Sequence, residues 1–150
     1  MRLALEAAYE SVKSNIGGPF GACVVRDGEV LAVAGNRVLE SHDPTAHAEV
    51  SAIRAACAKL GTHHLEGARI YSTTEPCPMC FSAIHWARIG GISYGTSIED
   101  VARLGFNELP VSNVQLIELG KSGITLEQGF LREECLEMLR FWVSQTRQTY

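Results

Sequence analysis

The sequence predicts an α/β domain, a three-layer α/β/α sandwich built around a central mixed sheet of five strands. Three observations predict it. Short runs rich in β-branched residues alternate with longer stretches of helical period, the pattern of a sheet covered by helices on both faces. Two of the runs flank Asp27-Gly28, a preferred two-residue hairpin turn, which makes part of the sheet antiparallel. The chain has 150 residues, 46% hydrophobic and 20% charged, enough for one core and no more. A domain of that length buries about 68–70% of its unfolded surface without help from disulfides. We therefore expect a single domain over 1–150.

In chain order, Leu3, Leu5, Ala7, Ala8, Val12 and Ile16 lie near helical spacing, and Gly17-Gly18-Pro19 stops that helix. Cys23-Val24-Val25 and Val30 to Val33 form the hairpin. Ala46 to Leu60 is a helix with Val50, Ile53 and Cys57 facing inward and Gly61 after its end. Arg69 to Thr73 is a short strand that leads into a third helix, Pro78 to Arg88, with proline at its first position. Gly91 to Tyr94 is a strand, Ile98 to Leu104 a short helix, and Val114 to Leu119 the last strand. Leu131 to Val143 is a C-terminal helix with Leu136, Leu139 and Val143 along one stripe.

Composition excludes several function classes. The net charge is −4 with no run of Lys or Arg, which argues against a polynucleotide substrate, because phosphate binding needs clustered cations. No apolar run approaches the ~18 residues of a membrane span, and Met1 to Glu6 turns acidic too early for a secretory signal. The expectation is a cytoplasmic protein that meets neither nucleic acid nor membrane. Of its five cysteines, Cys23, Cys57 and Cys135 read as small buried hydrophobes.

The other two carry chemistry. Cys77 and Cys80 are spaced to present both sulfurs on one turn of helix, and His47 offers an imidazole upstream. Three protein ligands leave the fourth position of a tetrahedral Zn²⁺ open for water, the arrangement of a catalytic zinc. Glu49, two residues beyond His47, points away from it on a helix side, but both converge on a metal that sits off the helix N-terminus. Pro78 places Cys77 and Cys80 in the first turn of their own helix in the same way. Two helix N-termini facing one site favour thiolate and a developing oxyanion. His42, His63, His64 and His85 read as turn or solvent-facing residues, and Glu75, just before Pro76, as a hydrogen-bonding brace for its loop.

His47-Ala48-Glu49 with Pro76-Cys77-Pro78-Met79-Cys80 matches the H-x-E and P-C-x-x-C pattern of the zinc-dependent nucleobase deaminases. Gly17 to Ala22, Asn36, Asp43 to Glu49 and Ile84 to Arg88 resemble the guanine deaminase branch of the cytidine-deaminase-like superfamily, over roughly residues 1 to 108. The resemblance implies that fold, a Zn²⁺ cofactor held by His47, Cys77 and Cys80, and Glu49 as a proton shuttle. It also implies that Asn36 holds the polar edge of a base and that Phe20 and Trp86 stack on its faces, where the plain reading is a turn residue and two core aromatics. In guanine deaminases a carboxylate occupies the position of Glu108 in Gly105-Phe106-Asn107-Glu108. Guanine presents its C2 amine beside N1–H, so Glu108 would accept from both, whereas adenine would meet it with lone pairs. Bacterial members can end in a tail whose aromatic closes the partner's pocket in a domain-swapped homodimer, a part that Tyr150 would play.

The expected activity is hydrolysis of free guanine to xanthine and ammonia. Three alternatives stay open at this point: a deaminase of cytosine, isocytosine or a triazine; a tRNA adenosine deaminase, which shares the zinc motifs; and a non-enzymatic module in which a fourth protein ligand closes the zinc.

Overall fold

A computed structural model of the chain describes residues 1–145 and Thr149. Five strands form one mixed sheet in the order β2-β1-β3-β4-β5. Strands β1 (Gly21–Arg26) and β2 (Glu29–Gly35) are the hairpin, turned at Asp27 and Gly28, both at positive φ. Next to β1, β3 (Ala68–Thr74) pairs antiparallel, and β4 (Gly91–Thr96) then pairs parallel with β3.

Helices cover both faces. On one side α1 (Arg2–Lys13) packs across β1 and β2, and α7 (Arg132–Ser144) lies behind β4. Leu5, Val12, Cys135, Met138 and Trp142 form the core between them. On the other side α3 (Ala48–Leu60) covers β1 and β2 and touches α4 (Pro78–Trp86). Ile53, Leu65, Ile70, Phe81, Ile84 and Ile92 fill that second core. The three-layer sandwich predicted from the sequence is the one observed. Gly95 shows how tightly α7 lies on β4, since a Cβ there would run into the Cys135 sulfur and the Thr73 carbonyl.

Three expectations need correction. Val114 to Leu119 is not a strand but the body of α6 (Asn113–Gly120), started by a capping box between Ser112 and Gln115. The fifth strand is β5 (Thr125–Gln128), parallel to β4, whose polar residues suit an exposed sheet edge and give no apolar pattern to read. The inward stripe of α7 is Cys135, Met138, Leu139 and Trp142, and Val143 is 54% exposed. A four-residue helix, α2 (Val38–Ser41), was not expected.

The topology gathers several chain segments at one end of the sheet. Gly21 pairs with Gly35 and Ala22 with Ser72, so the start of β1 and the end of β2 lie beside the C-terminal end of β3. Thr74 pairs with Thr96, which brings the exit of β4 and the following α5 (Ile98–Ala102) to the same end. That is where open α/β sheets place their sites.

Asp100 joins α5 to α7. Its carboxylate accepts from the Ser97 backbone and hydroxyl at 2.9 and 3.0 Å and from both terminal nitrogens of Arg132 at 2.6 and 3.0 Å. The Arg132 bond first, and the Ser97 bonds after it, hold its pKa down from 3.8 to about 2. A depressed carboxylate stabilises the fold above its unfolded pKa and loses that contribution as pH falls through the folded one. Because solvent screens the half-exposed guanidinium, Asp100→Asn is expected to cost about 1 kcal/mol at neutral pH. The gap between the two proteins in thermal or urea unfolding should shrink as pH is lowered from about 4 to about 2, the window set by those two pKa values.

Candidate active site

Two helices begin at the gathered end with the same device. His47 is the N-cap of α3 and Cys77 the N-cap of α4, both in extended conformation. Neither side chain caps its own helix, and both turn toward the space between the two N-termini. Pro78 follows at the first helical position, where its missing N–H costs nothing and its fixed φ starts the helix. Cys80 completes the first turn and is fully buried.

The sulfurs of Cys77 and Cys80 lie 3.6 and 3.5 Å from Nδ1 of His47. A tetrahedral Zn²⁺ with Zn–S of ~2.3 Å and Zn–N of ~2.05 Å would hold sulfur and nitrogen about 3.6 Å apart. The ligand atoms of all three residues lie within 4.8 Å of one another, and no fourth His, Cys, Asp or Glu joins them among the described residues. The donor set therefore fits zinc, with three ligands rather than four. This removes the closed structural site as an alternative.

Glu49 sits in the first turn of α3, buried. Its Oε1 accepts from the Ser72 hydroxyl on β3 at 2.9 Å, and its Oε2 lies 3.4 Å from the Cys80 sulfur. Burial raises its pKa, the ordinary requirement for a carboxylate that must carry a proton near neutral pH. Without metal the two thiols share a proton unequally. The hydrogen bond from Cys80 and then the one with His47 pull Cys77 down to about 4, while that same bond and burial push Cys80 up. For His47, burial works against the charged ring, but Cys77 and Glu49 outweigh it and its pKa rises.

Beside this cluster opens a cavity of about 200 Å³ lined by Phe20, Asn36, His47, Cys77, Met79, Phe106 and Glu108 among others. It is smaller than the ~300–1,000 Å³ of pockets for drug-sized ligands. Asn36 is 1% exposed, and its Oδ1 accepts from the backbone N–H of Gly18 and Val38, each at 3.2 Å, which fixes the amide's orientation. Gly17 permits that approach, because a Cβ there would collide with the Asn36 backbone and side chain. Phe20 meets Phe106 edge to face, with centroids 5.1 Å apart. Glu108 is half-buried in a tight turn closed by its N–H on the Phe106 carbonyl at 2.9 Å. Burial first, then the Cys77 and Glu49 charges, raise its pKa.

The structure thus brings together His47, Cys77, Cys80, Glu49, Asn36, Phe20 and Glu108. It does not bring Trp86 with them. Trp86 ends α4, a full helix away from Cys77, and is 78% exposed, so it does not line the pocket of its own chain and has no place in the core. Tyr150 lies outside the described residues. The wall residues that sequence reasoning missed are Phe106 and Met79. Phe106 carried a readable signal, an aromatic directly after Gly105 at φ +93.

The family model described as the cytidine and deoxycytidylate deaminase zinc-binding region matches residues 1–96. A guanine deaminase of Bacillus subtilis is 47% identical over 108 residues, 72% of this chain and 69% of that protein. A tRNA-specific adenosine deaminase of Agrobacterium fabrum is 53% identical over 96 residues, 63% of this chain and 62% of its own length. Among solved structures, a guanine deaminase from Nitrosomonas europaea superposes with a TM-score of 0.84 at 31% identity, covering 94% of this chain and 81% of that one.

The geometry separates metal binding from proton transfer. Elemental analysis is expected to find about one zinc per chain in the native protein and in Glu49→Ala, and near none in Cys80→Ala.

Proposed function

The chain belongs to the family defined by the cytidine and deoxycytidylate deaminase zinc-binding region, and from that membership we propose that this zinc-dependent aminohydrolase deaminates free guanine to xanthine and ammonia. The observation that carries the proposal is Glu108, a carboxylate half-buried on the pocket wall across from the metal ligands and Glu49. Guanine presents an amine and an N1–H side by side, and one carboxylate accepts from both in a charge-assisted pair. Adenine offers a lone pair at that place and cytosine a C–H, so neither recovers the cost of burying Glu108. Asn36, its Oδ1 held by the N–H groups of Gly18 and Val38, lines the pocket and would meet the polar edge of the ring. Phe20 and Phe106 supply apolar walls.

Zinc, when bound by His47, Cys77 and Cys80, supplies Lewis-acid activation of a water. Glu49 takes the proton that this water gives up and delivers it to ring N3 as the oxygen adds at C2. Ser72 holds Glu49 on the side of its Oε1 during both transfers. As the C2–N bond breaks, Glu49 takes the proton of the hydroxyl added at C2, which becomes the carbonyl of xanthine, and passes it to the departing amine directly or through Glu108, so that ammonia leaves. The raised pKa values of both carboxylates suit that traffic.

Resemblance to tRNA adenosine deaminases gives a second reading. The charge of −4 and a pocket wall without Lys or Arg favour the free base instead. A homodimer in the cytoplasm is part of the proposal. The exposed Trp86 and Leu119, 78% and 82% accessible, offer it apolar surface.

A panel of free bases followed by ammonia release is expected to give turnover on guanine far above adenine or cytosine. Glu108→Gln should lower kcat/KM for guanine by about 10²-fold or more, the usual cost of one strong acceptor lost from a reacting centre, and Glu49→Ala should abolish turnover with zinc retained. A tRNA gel shift that weakens with salt would favour the second reading. Sedimentation should find a dimer that Trp86→Ala weakens.

A further inference from the structure

Glu75 precedes Cys77 by two residues and is 6% exposed, and its carboxylate serves the first residues of two other helices besides the Tyr94 hydroxyl. Its Oε2 accepts from the N–H of Ile98, the first residue of α5, at 3.3 Å. Its Oε1 accepts from the N–H of Asn113, the first residue of α6, at 2.8 Å. Asn113 answers with its side chain, whose Nδ2 donates to the Pro76 carbonyl at 2.6 Å, the last carbonyl before Cys77. The Glu75 N–H itself bonds Thr96 at 2.7 Å, so the carboxylate stands on the β3–β4 ladder.

Everything from Ile98 to Asn113 is therefore an arch with both feet on one carboxylate, and Glu108 is near its crown. The arch has no strand pairing of its own among the described residues. Its crown leans on Phe20 and Trp142 through Phe106. Behind it is a cavity of about 500 Å³ between Tyr94, Glu99, Ala102, Pro110 and Gln115, with Glu75 at its base. Phe106 packing, the Asp100–Arg132 pair and the Thr149 hydroxyl on the Gly105 carbonyl hold the arch on the α7 side, and the two feet on Glu75 hold its ends on the side of the sheet and the metal ligands.

We propose that Glu75 is a positioning residue for substrate recognition: by holding both feet of the arch it fixes the distance from Glu108 to the metal ligands, and through it which base the pocket accepts. The proposal rests on the reading of Glu108 as the carboxylate that meets substrate. A carboxylate suits the task because it offers one acceptor oxygen to each foot. Glutamine in its place keeps one acceptor and turns an NH₂ against the other N–H.

The test uses two variants by different routes. Glu75→Gln loses one foot. Asn113→Pro loses the same backbone donor at a first helical position where proline is tolerated, after Ser112 in a compatible extended conformation, and Asn113→Ala is its reference. Hydrogen exchange measured on each zinc-loaded protein needs no substrate. Amides of 103–112 are expected to exchange about tenfold faster in Glu75→Gln, and in Asn113→Pro relative to Asn113→Ala, with β3 and β4 unchanged. For the best base of the panel, KM should rise about tenfold with kcat within about threefold, and the rise should vanish when Glu108 is already Gln. Unchanged exchange in the arch overturns the proposal whichever base is the substrate. So does an effect on KM that simply adds to that of Glu108→Gln, since a route through Glu108 leaves nothing to act on once that carboxylate is gone, and so does an unchanged KM, since a brace that acts only on stability would lower the active fraction and leave KM alone. If guanine is not turned over, the guanine reading fails, and the exchange comparison still decides the role of Glu75. Should Glu75→Gln not fold, the Asn113 pair carries both measurements.

Discussion

The convergence of two helix N-termini on one small volume is the constraint on which the rest depends. His47 and Cys77 are both N-caps in extended conformation, and each gives up the usual duty of a cap to reach the shared space. The first-turn N–H groups of both helices point into that space and favour negative charge there, the Glu49 N–H on its own carboxylate and the Cys80 N–H on the Cys77 sulfur. Burial of Glu49 there still disfavours its charge and raises its pKa, with His47 and the Ser72 hydroxyl offsetting part of that cost. The sheet makes the convergence possible, because β3 ends next to the start of β1 and the end of β2.

Most of the site was legible because its signals are local. Pro78 announces a helix start, Cys77 and Cys80 share one turn, and the spacing of His47 and Glu49 makes sense only at an N-terminus. The Asp27-Gly28 hairpin was equally plain, since both residues need positive φ. The role of Glu75 as a brace was readable from its place before Pro76; what it braces was not, because Ile98 and Asn113 are 23 and 38 residues away.

The misreadings have physical causes. Val114, Leu116, Ile117 and Leu119 mix helical and strand spacing, and the deciding feature is the capping pair Ser112 and Gln115 just ahead of them. β5 is a polar edge whose place is set by pairing with β4, so composition alone hides it. Trp86 lies on the helix that carries two ligands, but a helix transmits position only along its own axis, and the opposite end of α4 faces outward. Sequence nearness to Cys80 was a poor guide to spatial nearness.

The match to the family model ends at Thr96, the last residue of β4, two residues before the arch begins. His47, Cys77, Cys80 and the proposed proton shuttle Glu49 lie on one side of that boundary, and Glu108 on the other. An insertion or exchange within the crown need not disturb the catalytic half, provided that both feet keep their N–H groups for Glu75. On the proposed reading the scaffold is in that sense modular, since the residues between the two feet can be rewritten without touching His47, Glu49, Cys77 or Cys80.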